Sequence, residues 1–342
     1  MRFNSIKNTK RPYIIAEIGI NHNGNISLAK KMIIEAKKCG ANCAKFQFFN
    51  AKNLISKKAP KAPYQRSNKK DSQLEIIEKC ELSLNKIKIL KNYCKKVGID
   101  FLCTPFDIKS LKQLSKIGVK VIKVSSCNLN NIPFLKEIKK LNLSIILSTG
   151  MGTLAEVKDA CKLFDKNKII VFQCTSNYPS EIEDSNLNVI KVYKKIFKNS
   201  VGYSDHTKGN VSALVALGMG VKIFEKHFTL SNKLKGIDQK ASADLKQFKN
   251  YVLSIHNGFK SIGTVKKKPS KAEKKVAISL RKSLVASKNI KAGEKLILSM
   301  VEFKRPGNGI ETKYLNKFIG KILKKNISKD NLFKKSHFLN RN

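Results

Sequence analysis

The sequence predicts a (β/α)8 barrel followed by a small β-rich module. Three observations predict it: eight short apolar runs, amphipathic stretches between them, and a change of pattern near residue 264. The runs fall at 13–18, 43–48, 100–103, 121–124, 144–147, 169–173, 200–202 and 223–225. Each is strand-sized, and most are rich in β-branched and aromatic residues. The stretches 26–39, 85–97, 108–117, 154–164, 187–197, 211–219 and 245–262 carry apolar residues at helical spacing. Eight parallel strands with crossover helices over about 250 residues fit a closed barrel. The pattern alone leaves a doubly wound open sheet as the alternative. After the first run, Gly19 to Gly24 lack the GxGxxG spacing, so a dinucleotide fold has no support.

The boundaries follow from the breaks. Residues 1–263 form the barrel, 264–280 a linker, and 281–342 the terminal module. The linker begins with a lysine-rich stretch around Pro269. The module shows strand patterns at 283–286, 301–304 and 319–322, with a turn at 291–294. At about 60 residues it is marginal alone, so it is expected to dock on something. Residues 50–82, polar and holding Pro60 and Pro63, read as a long lid or binding loop after the second strand.

Composition narrows the class. The 342-residue chain is 42% hydrophobic, enough for a folded core. The net charge of +45 raises the question of nucleic acid, but only six of the 69 basic residues are arginine and lysines occur in every segment. No nucleic-acid motif accompanies them. The charge therefore reads as lysine on solvated faces, whose field still draws in a small polyanion. The eight cysteines include no CxxC pair, and most fall inside expected strands and helices. The start is short, polar and basic, and no apolar run reaches eighteen residues. Both features point to a reduced, cytoplasmic protein with no membrane partner.

A barrel carries its chemistry at the carboxyl ends of its strands. Here those ends hold Glu17; Lys45 and Gln47; Thr104; Lys123 and Ser126; Ser148 and Thr149. The last three lead into Cys174 to Tyr178, into Ser204-Asp205-His206, and into Glu225-Lys226-His227. Two lysines and several hydroxyls around one cavity make an anion site for phosphate and carboxylate. Taken singly, His206 or His227 reads more readily as a turn or core histidine than as a ligand. As a pair from adjacent strands, with Glu17, Glu225 and Asp238 nearby, they suit a divalent ion with open positions. The absence of a cysteine partner favours Mn2+ or a similar ion over structural zinc. His22, in the loop after the first strand, is expected at the cavity mouth.

These residues carry a resemblance. The segments AEIGINHNG (16–24), KFQ (45–47), TPFD (104–107), KVSSCNLNN (123–131) and LSTGM (147–151) are similar to the N-acetylneuraminate synthase family. So are QCTSNYP (173–179), GYSDHT (202–207), EKHFT (225–229) and KRPGNG (304–309). The terminal module resembles the antifreeze-like (SAF) domain of those enzymes. The resemblance implies condensation of phosphoenolpyruvate with N-acetylmannosamine and water to give N-acetylneuraminate and phosphate. Legionaminic or pseudaminic acid synthesis from a diacetamido hexose is the alternative within the family. A non-catalytic basic binding protein is the alternative outside it.

By that resemblance Lys45, Thr104, Lys123, Ser126, Ser148, Ser176 and Ser204 hold phosphoenolpyruvate. His206 and His227 hold the metal, Mn2+ or in its place Mg2+ or Co2+. Glu17 and Glu225 handle protons or water beside it. Gln47, Tyr178 and Asp238 bind the sugar, and Arg305 reaches in from the second chain of a domain-swapped homodimer. Asn128 departs from the pattern, standing where many members carry an acid that contacts the sugar. An amide accepts from sugar hydroxyls less strongly than a carboxylate, which weakens the assignment to N-acetylmannosamine itself.

Overall fold

The computed structural model describes residues 1–56, 58–60, 72–197 and 201–339. Two compact units divide it, Met1–Gly263 and Thr264–Asn342. The first is an eight-stranded parallel barrel. Its strands are β1 (Tyr13–Gly19), β2 (Cys43–Phe48), β3 (Asp100–Pro105), β4 (Val121–Val124), β5 (Ser144–Ser148), β6 (Ile169–Cys174), β7 (Val201–Asp205) and β8 (Ile223–His227). They pair in the order β3-β2-β1-β8-β7-β6-β5-β4, and the two ends, β3 and β4, pack side by side. This is the closed arrangement rather than the open doubly wound sheet.

Most strands run one to three residues past the apolar runs that predict them, and several of the added residues, such as Thr104, Ser148, Ser204 and His227, are polar. Ser200, expected to open β7, lies outside the described residues.

Strand alternation sorts each strand into two layers. Outward residues such as Ile14, Ala44, Phe46, Ile122 and Phe224 pack in one core against helices including Ile26–Lys38, Leu84–Val97 and Leu245–Ile262. Side-chain caps from Asn25, Ser83 and Asp244 start these helices. Inward residues Ile15, Cys43, Leu102, Val121, Ile146, Ile170 and Ile223 form a separate apolar floor, closed below by Phe3 and Ile6 of the short helix Phe3–Lys7. Two residues further along, the same inward faces carry Glu17, Lys45, Thr104, Lys123, Ser148 and Glu225. The polar layer stands directly on the apolar one.

Gly202 lets this interior fill. It pairs with Phe172 across β6 and β7, and a Cβ there would collide with the Phe172 ring.

The structure adds to the expected elements. A helix, Ile132–Lys140, lies between β4 and β5. Asn131 caps that helix, and Pro133 sits in its first turn, where its missing N–H costs nothing. Part of 50–82 is helical, at Ala51–Leu54 and Gln73–Glu78, the second started by a Ser72/Glu75 capping box. Ile77 there joins Ile20 and Phe49 in a small buried cluster; residues 57 and 61–71 of that stretch lie outside the described residues. The linker 264–280 contains a helix, Lys271–Leu280, started by a Ser270/Glu273 capping box.

The second unit has an antiparallel pair, β9 (Ser283–Ala286) with β10 (Val301–Lys304). Its own core includes Leu284, Leu296, Phe318, Phe333 and Phe338. The stretch 319–322 is no strand: Ile322 makes only an isolated bridge to Lys295. All eight cysteines are free, and six of them are buried. Among the described residues no helix is long and apolar enough to cross a membrane.

Candidate active site

Four buried charges meet above the apolar floor. The Lys45 ammonium lies 3.0 Å from Glu17 Oε2 and 3.4 Å from Glu225 Oε1. The Lys123 ammonium lies 3.1 Å from the same Glu225 oxygen and donates to Ser148 Oγ. Lys45 also donates to Thr104 Oγ1 at 3.4 Å, Ser204 to Glu225 at 2.9 Å, and Gln47 Nε2 to Glu17 Oε1 at 3.0 Å. All four charged side chains are at most 4% exposed. Such a cluster survives burial because each charge has an opposite partner.

The two carboxyls diverge. Burial pushes Glu225 up, but Lys123 and Lys45 outweigh it and hold its pKa down at about 2. For Glu17 burial dominates, and with the Glu225 charge it outweighs Lys45, so its pKa is raised. Glu225 is the fixed anion and Glu17 the carboxyl nearer to carrying a proton. Burial lowers the pKa of Lys123 despite Glu225. It works against Lys45 as well, but there Glu17 and Glu225 prevail and the pKa is raised.

His206 and His227 stand beside this cluster with ring centroids 5.5 Å apart. Tyr178 packs on both, at 4.3 and 5.3 Å. His206 Nδ1 is bonded to the Thr175 carbonyl at 2.5 Å, which leaves Nε2 facing Ser204 Oγ at 3.1 Å. Burial lowers the His206 pKa to about 4, and burial with the neighbouring His206 lowers that of His227 well below its ordinary value. Both rings are neutral at pH 7, the form that binds a cation. His227 Nδ1 is buried with no hydrogen-bond partner, 4.0 Å from Asp238 Oδ2. No three His, Cys, Asp or Glu side chains gather into a closed metal cage among the described residues. The two neutral imidazoles could share a divalent cation, with its other positions left to ligand or water.

These groups line an inner chamber of about 40 Å3, small because the lysines fold onto the glutamates. It opens into a vestibule of about 780 Å3 that shares Gln47, Phe106, Ser126, Tyr178 and His227 with it. Ser176 and Asp238 line the vestibule. The vestibule wall also carries Ile20, Phe49, Ile77 and Phe106. Burial, followed by the Glu17 charge, raises the Asp238 pKa to about 7.

One barrel candidate lines neither cavity. Asn128 is buried, donating to the Phe106 carbonyl at 3.3 Å and accepting from Asn131 Nδ2 at 3.0 Å. Arg305 follows β10 in the second unit and is exposed. His22 is not at the mouth: it is wholly buried, accepting from Gly24 N–H at 3.0 Å and packing near Phe46.

Sequence reasoning missed Gly150. Its N–H donates to Ser126 Oγ at 3.0 Å, and a Cβ there would collide with Ser176 Oγ. A backbone donor and two hydroxyls thus converge where a larger residue would displace the Ser176 hydroxyl. The signal was the glycine one residue beyond the Ser148-Thr149 pair.

A family model described as the NeuB family matches residues 32–267, more than half of the chain. The chain belongs to the NeuB family. A SAF domain model matches residues 281–339 of this NeuB-family chain. It is 44% identical to the N,N'-diacetyllegionaminic acid synthase of Campylobacter jejuni, covering 95% of this chain and 99% of that one. With the enzyme of the same name from Legionella pneumophila it shares 37% identity, over 92% of this chain and 91% of that one. The crystal structure of N-acetylneuraminic acid (sialic acid) synthetase from Leptospira borgpetersenii superposes with a TM-score of 0.70 at 34% identity. It covers 78% of this chain and 90% of that one. The NeuB-family barrel and its SAF domain are thus both present.

Proposed function

We propose that this NeuB-family synthase condenses phosphoenolpyruvate with the open-chain aldehyde of a diacetamido hexose, giving a legionaminic-acid-type sugar acid and phosphate. The acceptor differs from the N-acetylmannosamine first expected. One observation favours the change: the 44% and 37% identical relatives carry the diacetyllegionaminic name, against 34% for the neuraminic one.

The observation that carries the reaction class is the buried pair of lysines on Glu225 beside two neutral imidazoles. Lys45 and Lys123, with Ser126, Ser148, Ser176, Ser204 and Thr104, supply the positive charge and hydroxyls for a carboxylate and a phosphate. C3 of phosphoenolpyruvate forms the new bond to the aldehyde carbon, whose oxygen takes up a proton. Water adds at C2, and phosphate leaves with its bridging oxygen. Glu17, raised toward protonation, moves the proton, while Glu225 stays anionic and anchors both lysines. Gln47, Tyr178 and Asp238 face the sugar. His206 and His227 would hold a divalent ion such as Mn2+, which when bound would supply Lewis-acid polarisation of the aldehyde. Arg305 of a second copy completes the sugar site in a homodimer.

Phosphate release from phosphoenolpyruvate tests this, measured with Mn2+ against a diacetamido hexose, N-acetylmannosamine and arabinose 5-phosphate. The proposal expects the fastest release with the diacetamido sugar and none after EDTA. Preference for N-acetylmannosamine would return the acceptor to the neuraminate reading. Silence with all three would refute the synthase.

A further inference from the structure

Behind the two imidazoles lies an ion pair that faces away from the cavity. Asp205 and Lys226 are register partners across β7 and β8, with Lys226 Nζ 3.0 Å from Asp205 Oδ2. Asp205 is 1% exposed and Lys226 6%. Strand alternation makes each the chain neighbour of a residue on the opposite face. Asp205 precedes His206 and Lys226 precedes His227, so the pair ties together the two backbone segments that carry the imidazoles.

The tie extends beyond one contact. Lys226 Nζ donates to the Thr207 carbonyl at 2.7 Å and lies 4.8 Å from the centre of the Tyr251 ring. Asp205 Oδ1 accepts from Thr207 N–H at 2.9 Å and from its hydroxyl at 2.7 Å. His206 is thereby held between two residues, Asp205 and Thr207, that are bonded to each other and to β8. An ion pair at this depth is a poor way to gain stability, since well-packed apolar residues of similar volume serve as well or better. What it adds is a fixed register and a fixed spacing.

We propose that Asp205, Lys226 and Thr207 form a positioning clamp that sets the separation and aim of His206 and His227 for a divalent cation. The clamp acts through the imidazoles and touches neither cation nor substrate. This rests on the metal reading given above.

The test is Mn2+ binding to the full chain, followed by electron paramagnetic resonance of the free ion, alongside the thermal midpoint. Lys226→Met and Asp205→Leu are expected to lower the midpoint singly, because each leaves one buried charge unpaired. Combined, they should recover most of the midpoint yet bind Mn2+ at least tenfold more weakly than the native chain. Lys226→Arg, which keeps the pair, should retain more Mn2+ affinity than Lys226→Met. A double variant with native midpoint and native Mn2+ affinity would reduce the pair to a structural one and overturn the proposal. Should the double variant fail to fold, Thr207→Val decides. It removes one hydroxyl donor to the buried Asp205 carboxylate at nearly constant shape, so the midpoint should fall modestly, and Mn2+ should bind severalfold more weakly. Native affinity there would overturn the clamp. A native chain that binds no Mn2+ would instead overturn the metal reading itself, and the clamp with it.

Discussion

Lys45 and Lys123 converge on a single oxygen, Glu225 Oε1, at 3.4 and 3.1 Å. The two ammonium groups come from β2 and β4, the strands on either side of β3, and the shared carboxylate holds them side by side where a dianion would find both. Replacing either by Met keeps the stem and removes the charge. A charge-assisted contact is worth about 1.5–3 kcal/mol, so the KM for phosphoenolpyruvate should rise roughly ten- to a hundredfold in either variant. The KM for the sugar should move far less. Initial-rate kinetics with each substrate varied in turn checks this, and equal rises for both substrates would contradict it.

His22 predicts an acid limb in stability. Burial holds its pKa at about 4 in the folded chain, against about 6.5 unfolded. A depressed pKa gives stability that is complete above the unfolded value and lost as pH falls toward the folded one. The loss therefore runs from about pH 6.5 down to pH 4 and totals about 3 kcal/mol. Asn can accept from Gly24 N–H in place of Nδ1 but does not titrate. Urea unfolding at pH 7.5 and 4.5 should show a smaller drop for His22→Asn than for the native chain. Parallel drops would contradict the assignment.

How far the sequence could be read depended on what each pattern encodes. The β/α alternation was legible because apolar strands and amphipathic helices differ in period, and the polar strand ends were legible because eight of them fall in register. The ends of the strands were blurred by those same polar residues. Strand parity was available but unused. It separates inward Ser204, His206, Glu225 and His227 from outward Asp205 and Lys226, which a list of reactive residues lumps together. His22 looked like a mouth residue because a polar loop conceals burial, which depends on Phe46 from another strand. The inner role of Gly150 depends on Ser126 and Ser176 arriving from β4 and β6, a contact that no local pattern records.

Asn128 gives a prediction with two readouts. Its Nδ2 donates to the Phe106 carbonyl, and a carboxylate there cannot donate. Asn128→Asp should therefore cost about 1–3 kcal/mol of stability in urea unfolding. If position 128 also reads the acceptor, the same variant should raise kcat/KM for N-acetylmannosamine relative to the diacetamido sugar. An unchanged ratio with the stability loss would make Asn128 a support for the Phe106 segment and nothing more.

Completion of the site by a second copy makes a mixing prediction. The helix Lys271–Leu280 has no buried residue, and Val276, Ile278 and Leu280 are about half exposed. Arg305 is exposed as well. His206→Ala and Arg305→Ala chains, each inactive alone, should regain activity on subunit exchange. Random pairing restores one site in half of the dimers, so recovery should approach about a quarter of native activity. No recovery after proven exchange, or a fully active monomer in sedimentation, would contradict the shared site.

The central claim is that this chain joins phosphoenolpyruvate to an amino-sugar aldehyde with water entering at C2. The most direct measurement is the reaction with a diacetamido hexose and Mn2+ in 18O-water, followed by mass spectrometry of the released phosphate. The account predicts unlabelled phosphate, released one-for-one with sugar acid and only when the sugar is present. Phosphate that carries 18O, or that is released without the sugar, would contradict it.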